Sequence, residues 1–164
     1  MSDYKIVDNF LPTEDFKAIQ NIFLTKDGEF PWYFIESVSG LSDDTDCYFE
    51  HHFYDMCTVH SNWFEAIKTF ILPRMDMMSL IRCKANLFPQ TKELHRYKMH
   101  TDQDTPHKGA VYSLNTCNGF TVLEDGTEIK SVANRMLFFD SSELHGSTSC
   151  TDANRRVNFN FNFL

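Results

Sequence analysis

The stretch Arg156-Val157-Asn158-Phe159-Asn160-Phe161-Asn162-Phe163 reads as a β-strand at every position. Val157, Phe159, Phe161 and Phe163 share one face, and Arg156, Asn158, Asn160 and Asn162 share the other, because strand side chains alternate. Asparagine is a poor strand former. Three in register therefore mark either an edge strand with its asparagines in water or a strand lining a polar cavity inside a barrel or sandwich.

Short strand-like runs separated by turn signals extend backwards from this strand to about Ser79. They are Ser79–Phe88, Ala110–Leu114, Phe120–Leu123, Glu128–Val132 and Met136–Phe139. Asp125-Gly126 between two of them predicts a two-residue hairpin turn. Many short strands at even spacing suggest a jelly roll. The first half is mixed. Strands are expected near Tyr4–Phe10, Phe30–Val38 and Tyr48–Tyr54. One helix starts at Thr13 as N-cap and carries Phe16, Ile19, Ile22 and Phe23. A second starts at Ser61 and ends near Pro73. The expected class is mainly β (α+β), a double-stranded β-helix or jelly roll with N-terminal supporting helices.

The chain has 164 residues, 42 % of them hydrophobic and 15 % aromatic, with 16 Phe. This composition supports one domain over residues 1–164, with its jelly-roll core at about 78–164, and excludes a disordered chain. The formal net charge of −8 disfavours nucleic-acid binding. Five cysteines without a CxxC pair argue against a disulfide framework or zinc knuckle and for a reducing compartment, so a cytoplasmic location is expected. No run approaches the roughly 18 apolar residues of a membrane span, and the N-terminus lacks a signal-peptide core.

The polar residues with metal-binding chemistry are His100, Asp102 and His145. In a strand His100 and Asp102 would face one point; in a loop they would sit in water among Thr101, Gln103 and Thr105. His145 follows the Leu137–Phe139 run and a polar bend, a strand-rim position that can face a cavity. Two imidazoles and one carboxylate hold one face of a ferrous ion and leave the other open. Arg156 lies 11 residues after His145, on the strand face carrying Asn158. A buried guanidinium there needs a partner, and a dicarboxylate supplies one. His51, His52, His60, His95 and His107 are read as surface or packing residues.

The second half, about Ile81 to Leu164, resembles the Fe(II)/2-oxoglutarate-dependent dioxygenases, in the prolyl-4-hydroxylase-like branch. The resemblance is carried by Tyr97-x-x-His100-x-Asp102, Tyr112-Ser113-Leu114-Asn115, Gly126, Leu137–Asp140 before His145, and Arg156–Phe161. Within that branch the chain is similar to small oxygenases of bacteriophage genomes. The resemblance implies that His100, Asp102 and His145 ligate Fe(II), and that Arg156 holds the distal carboxylate of 2-oxoglutarate. It also implies co-substrate contacts from Tyr97, from Tyr112 or Ser113, with Ser113 in the inward register, and from Asn158. Phe88-Pro89 stands where a Tyr-Pro is common, which removes one hydroxyl donor. The implied reaction consumes O2 and 2-oxoglutarate, hydroxylates a peptide or protein side chain, and releases succinate and CO2. The alternatives are a cupin-like metal- or ligand-binding jelly roll without 2-oxoglutarate turnover, and a cupin-type metal enzyme without a keto-acid. The loops Leu24–Phe30, Gly40–Asp46 and Gln103–Lys108 are expected to form the substrate rim. Their acidic residues suit a neutral or basic partner such as a peptide.

Overall fold

The computed structural model describes residues 3–25, 28–37, 46–103 and 105–164. Asp27, Asp43 and Asp44 of the expected rim lie outside the described residues.

The chain is mainly β, with 42 % strand and 14 % helix, in antiparallel sheets forming a jelly roll. β1 (Tyr4–Val7), β2 (Tyr33–Ile35), β3 (Tyr48–Asp55), β5 (Leu80–Pro89), β6 (Lys108–Ser113), β9 (Arg135–Asp140) and β11 (Arg155–Phe163) make the larger sheet. Their order is β1-β9-β6-β11-β5-β3-β2, with β4 (Thr58–Val59) pairing β3. β7 (Phe120–Leu123), β8 (Glu128–Lys130) and β10 (His145–Ser147) make a smaller sheet in the order β10-β7-β8. The larger sheet reaches outside residues 78–164, because β1, β2 and β3 complete it.

β11 is central, paired with β5 on one side and β6 on the other. Its alternation separates two interiors. Val157, Phe159, Phe161 and Phe163 pack under α1 (Thr13–Phe23) and α2 (Phe64–Phe70), joining Ile19, Phe23, Phe53, Phe64 and Ile67 in the main core. Phe159 lies edge-on to Phe23 and Phe53, with ring centroids 4.9 and 5.5 Å away. Burying each such ring contributes roughly 1.5–3 kcal/mol. On the other face Asn158, Asn160 and Asn162 are buried too. The edge-strand alternative, with asparagines in water, is thereby excluded. A second apolar cluster of Val111, Leu123, Ile129, Leu137 and Phe139 ties the small sheet to the large one on this same side.

The helices differ in detail from the sequence reading. Thr13 is the first helical residue of α1 rather than its cap, and no side chain caps that end. Ser61 is not the cap of α2 either: Trp63 takes that place without a side-chain cap, and Ser61 Oγ accepts from Trp63 N at 3.2 Å in the turn before the helix. Pro73 falls in a short 3-10 turn after α2. The β7–β8 hairpin turns through three residues, Glu124, Asp125 and Gly126, because Leu123 N donates to Thr127 O at 2.9 Å. Gly126 takes φ 83°, the left-handed position of a three-residue loop. Among the described residues no helix is long and apolar enough to cross a membrane.

Candidate active site

His100 and His145 are joined through their backbones. His100 N donates to His145 O and His145 N donates to His100 O, both at 2.9 Å, as an isolated antiparallel bridge. This pairing brings the imidazoles together at 4.9 Å between ring centroids. Neither His100 nor Asp102 belongs to a strand. Asp102 sits in a bend, its N–H directed to Ser141 O at 3.3 Å. The two-residue spacing thus converges by a rung and a bend, not by strand alternation.

The ligand atoms of His100, Asp102 and His145 all lie within 4.8 Å of one another. Each imidazole directs Nδ1 to the backbone carbonyl two residues earlier, His100 to Lys98 O at 3.3 Å and His145 to Glu143 O at 3.0 Å. That places the proton on Nδ1 and leaves the Nε2 lone pair for a metal. The Nε2 atoms stand 3.9 and 3.7 Å from Asp102 oxygens, beyond hydrogen-bond reach. Burial and the neighbouring His145 hold the His100 pKa below its ordinary value, which favours the neutral, ligating form.

Asp102 is held by neighbours on three sides. Arg82 Nη2 donates to Oδ1 at 2.7 Å, and Asn162 Nδ2 and Asn160 Nδ2 donate to Oδ2 at 2.7 and 3.4 Å. Burial alone would raise its pKa; the Arg82 guanidinium, His145 and the Asn162 amide outweigh it and hold the carboxyl below the usual carboxylate range. Asn160 and Asn162 of β11 therefore serve the triad. Arg82 completes Asp102's support and was not foreseen in the sequence. Its signal is the alternation Arg82, Lys84, Asn86, Phe88 on β5, a polar face matching that of β11.

Arg156 is 1 % exposed. Its Nη1 donates to Ser147 Oγ and to Thr148 O, the latter at 3.1 Å. Nη2 donates to Thr121 Oγ1 at 3.0 Å, and the guanidinium lies 5.6 Å from the Phe88 ring centroid. Nε is buried with no partner among the described residues, and no carboxylate faces the group. Burial draws its pKa down to about 10. Gly119 makes room for this side chain: a Cβ there would lie 2.8 Å from Arg156 Cδ and 2.5 Å from Ser149 O. Arg155 turns away, donating to Leu24 O on the helix side.

The remaining sequence-predicted residues divide. Asn158 lines the cavity and accepts from Asn86 Nδ2 at 3.1 Å. Ser113 pairs with Asn158 across the sheet and shares its face, but its Oγ accepts from Ser131 Oγ at 3.3 Å away from the triad. Tyr97 packs on Phe88, centroids 5.1 Å apart, behind the cavity wall. Tyr112 does not reach the cavity. It lies on the helix-facing side of β6 in the main core and donates to Asn134 Oδ1 at 2.7 Å. One residue of strand register separates it from the Ser113 face. Of the other histidines, His51 is held between Pro31 O and Ser61 Oγ, and His52 faces the opposite side, toward Glu50.

Tyr48, Lys84, Phe88, Val111 and Thr121 complete the cavity over the triad. A larger groove of about 470 Å³ lies between β1 and the Lys108–Gly109 end of β6, and holds none of the triad residues. The smaller cavity is where the buried charges converge.

No family model matches the chain and no curated protein matches it. Solved structures do match. A prolyl-4-hydroxylase from Pseudomonas putida aligns over 99 % of this chain and 93 % of its own, with TM-score 0.63 and 16 % identity. A 2OG-Fe(II) oxygenase family oxidoreductase from Burkholderia pseudomallei covers 98 % and 84 %, with TM-score 0.71 and 10 % identity. A prolyl hydroxylase from Trichoplax adhaerens covers 99 % and 84 %, with TM-score 0.62 and 15 % identity. It was solved with a peptide fragment of the hypoxia inducible factor oxygen degradation domain. The chain thus has the fold found in Fe(II)/2-oxoglutarate oxygenases, prolyl hydroxylases among them.

Proposed function

We propose that residues 1–164 form one oxygenase domain, dependent on non-haem Fe(II) and 2-oxoglutarate, that hydroxylates a peptide or protein side chain with release of succinate and CO2. One observation carries the reading. Two imidazoles and an ion-paired carboxylate converge in a cavity, and behind its Ser147, Thr121 and Phe88 wall lies a buried arginine with no carboxylate partner among the described residues.

The donor set fits Fe(II): two nitrogens and one oxygen on one side, with the remaining positions open. His100 Nε2, His145 Nε2 and Asp102 would hold the ion, and Arg156 with Thr121 would hold the distal carboxylate of 2-oxoglutarate. The orphaned Arg156 Nε is the donor that such an anion satisfies. The bound iron and keto-acid supply the O2-activating chemistry that side chains lack. The chain's own contribution is orientation. Lys98 and Glu143 carbonyls fix the imidazole tautomers, Arg82 and Asn162 fix the carboxylate, and Phe88 and Val111 keep water from the cavity. Peptide binding in the Trichoplax neighbour supports a peptide as substrate.

The test is anaerobic addition of Fe(II) and 2-oxoglutarate. The expected result is a weak visible charge-transfer band, lost in Asp102→Ala, followed by succinate formation on admitting O2. Arg156→Ala should raise the 2-oxoglutarate requirement strongly while sparing metal uptake. Metal uptake without any 2-oxoglutarate effect would return the chain to the cupin-like reading.

A further inference from the structure

We propose that Lys84 is the substrate-docking residue of the cavity and that it receives a carboxylate. The inference rests on the oxygenase reading for the cavity's role, and names the substrate group that enters it. Lys84 stands on β5 opposite His52 of β3, on the same face as Arg82, and lines the cavity with the triad. Its ammonium donates to Glu50 Oε2 and to Tyr48 Oη, both at 3.0 Å. An ammonium has three hydrogens, and the third has no further partner among the described residues. Tyr48 in turn donates to Glu50 Oε2 at 2.5 Å, and His52 Nε2 stands 2.9 Å from Oε1. Glu50 is thereby engaged on both oxygens, and the Lys84 head is held in one place rather than swinging on its stem.

Charge decides what the free hydrogen receives. Among the described residues Arg82, Lys84 and Arg156 are the cations of this interior, and Glu50 and Asp102 its anions. One positive charge is in excess. Fe(II) and the dianion of 2-oxoglutarate cancel, so loading leaves that excess in place. The distal carboxylate would answer Arg156 and the metal would share Asp102, which leaves Arg82, beside Lys84 on β5, without a full counter-charge. A monoanionic oxygen group on the substrate neutralises it, whereas a neutral carbonyl does not. Of the acids expected at the rim, Glu29 is exposed and its charge is screened; the buried surplus is not.

The probes are N-acetyl-L-proline and N-acetyl-L-prolinamide, a pair alike except for the carboxylate. Their affinities are measured by ligand-observed NMR on metal-free protein and on protein loaded with Zn(II), a redox-inert ion, and 2-oxoglutarate. The carboxylate is expected to bind about tenfold tighter than the amide on the loaded protein and on metal-free Arg156→Leu, which lacks the other unpaired cation, the margin of one charge-assisted hydrogen bond. Lys84→Met combined with Glu50→Gln, which removes both charges together, should abolish the preference in each. Glu50→Gln alone should strengthen carboxylate binding about tenfold by removing the competing anion. Equal binding of the two probes, no detectable carboxylate binding, or a preference that survives the double substitution would overturn the proposal. Failure to take up Zn(II) or 2-oxoglutarate sinks the oxygenase reading instead, and the metal-free Arg156→Leu arm still reports on Lys84.

Discussion

Arg82 of β5 donates through Nη2 to Asp102 Oδ1 at 2.7 Å, so the single carboxylate of the triad is ion-paired before any metal arrives. Arg82 Nε is spent on Asn162 Oδ1 at 2.9 Å, and Asn162 Nδ2 closes the ring onto Asp102 Oδ2 at 2.7 Å. Arginine, asparagine and aspartate thus form one closed hydrogen-bonded cycle spanning β5, β11 and the Asp102 bend.

Arg82→Leu should be strongly destabilising, because it leaves a buried carboxylate without its counter-charge. The expected loss is about 3–5 kcal/mol, the usual cost of removing one partner of a buried pair. Urea unfolding measures it. A divalent metal replaces the missing cation, so added Zn(II) should stabilise the variant more than the wild type. Equal metal stabilisation of both would mean that Arg82 and the metal do not act on the same carboxylate.

Glu50 gives a pH dependence. Burial would raise its pKa, but His52, Lys84 and Tyr48 hold it below the ordinary value. A carboxylate lowered in the folded state contributes stability that is present above its unfolded pKa, about 4.3, and lost as pH falls below that. Urea midpoints should therefore fall on acidification below that point. Glu50→Gln should lower stability at neutral pH and flatten that part of the acid decline. An unchanged slope would show that Glu50 does not contribute to it.

Gly119→Ala tests the Arg156 berth. The added methyl meets a backbone carbonyl at 2.5 Å, which cannot rotate aside, and Arg156 Cδ at 2.8 Å. The expectation is a loss of about 1–3 kcal/mol from overpacking, together with weaker 2-oxoglutarate binding and unchanged metal affinity. Calorimetric titrations with each ligand separate the two. Equal loss of both affinities would point to general unfolding.

Phe159→Ala tests the two-faced character of β11. Phe159 is fully buried against Phe23 and Phe53 on the helix side. Its truncation should cost about 3–5 kcal/mol. Metal affinity of the protein that remains folded should hold, since Asn158, Asn160 and Asn162 face the other way. Thermal unfolding with and without Zn(II) reads both quantities.

Much of this architecture was legible from alternation alone. The β11 pattern left an edge strand or a strand lining a polar cavity, and the buried asparagines decide for the second. The grouping of His100, Asp102 and His145 was also readable, although the route to it was not. His145-Gly146-Ser147 has little intrinsic strand preference and becomes β10 only by pairing with β7. Tyr112 illustrates the limit of register arguments, because one residue decides between core and cavity. Arg82, Lys84 and Glu50 escaped notice because charges alternating along a strand look like a solvated face until a second sheet covers them. That cover comes from the Asp102 bend, which takes Arg82, and from β7 and β10, whose residues line the cavity with Lys84; no local signal in β3 or β5 announces it.

The reciprocal backbone rung between His100 and His145 has a practical corollary. It staples the two ends of a 46-residue excursion containing β6 through β9, so imidazole spacing is set at the base of that excursion and not at its tip. The Asp125-Gly126 tip is accordingly a place to splice in a tag, a fluorophore or a foreign peptide while the imidazole pair keeps its gauge.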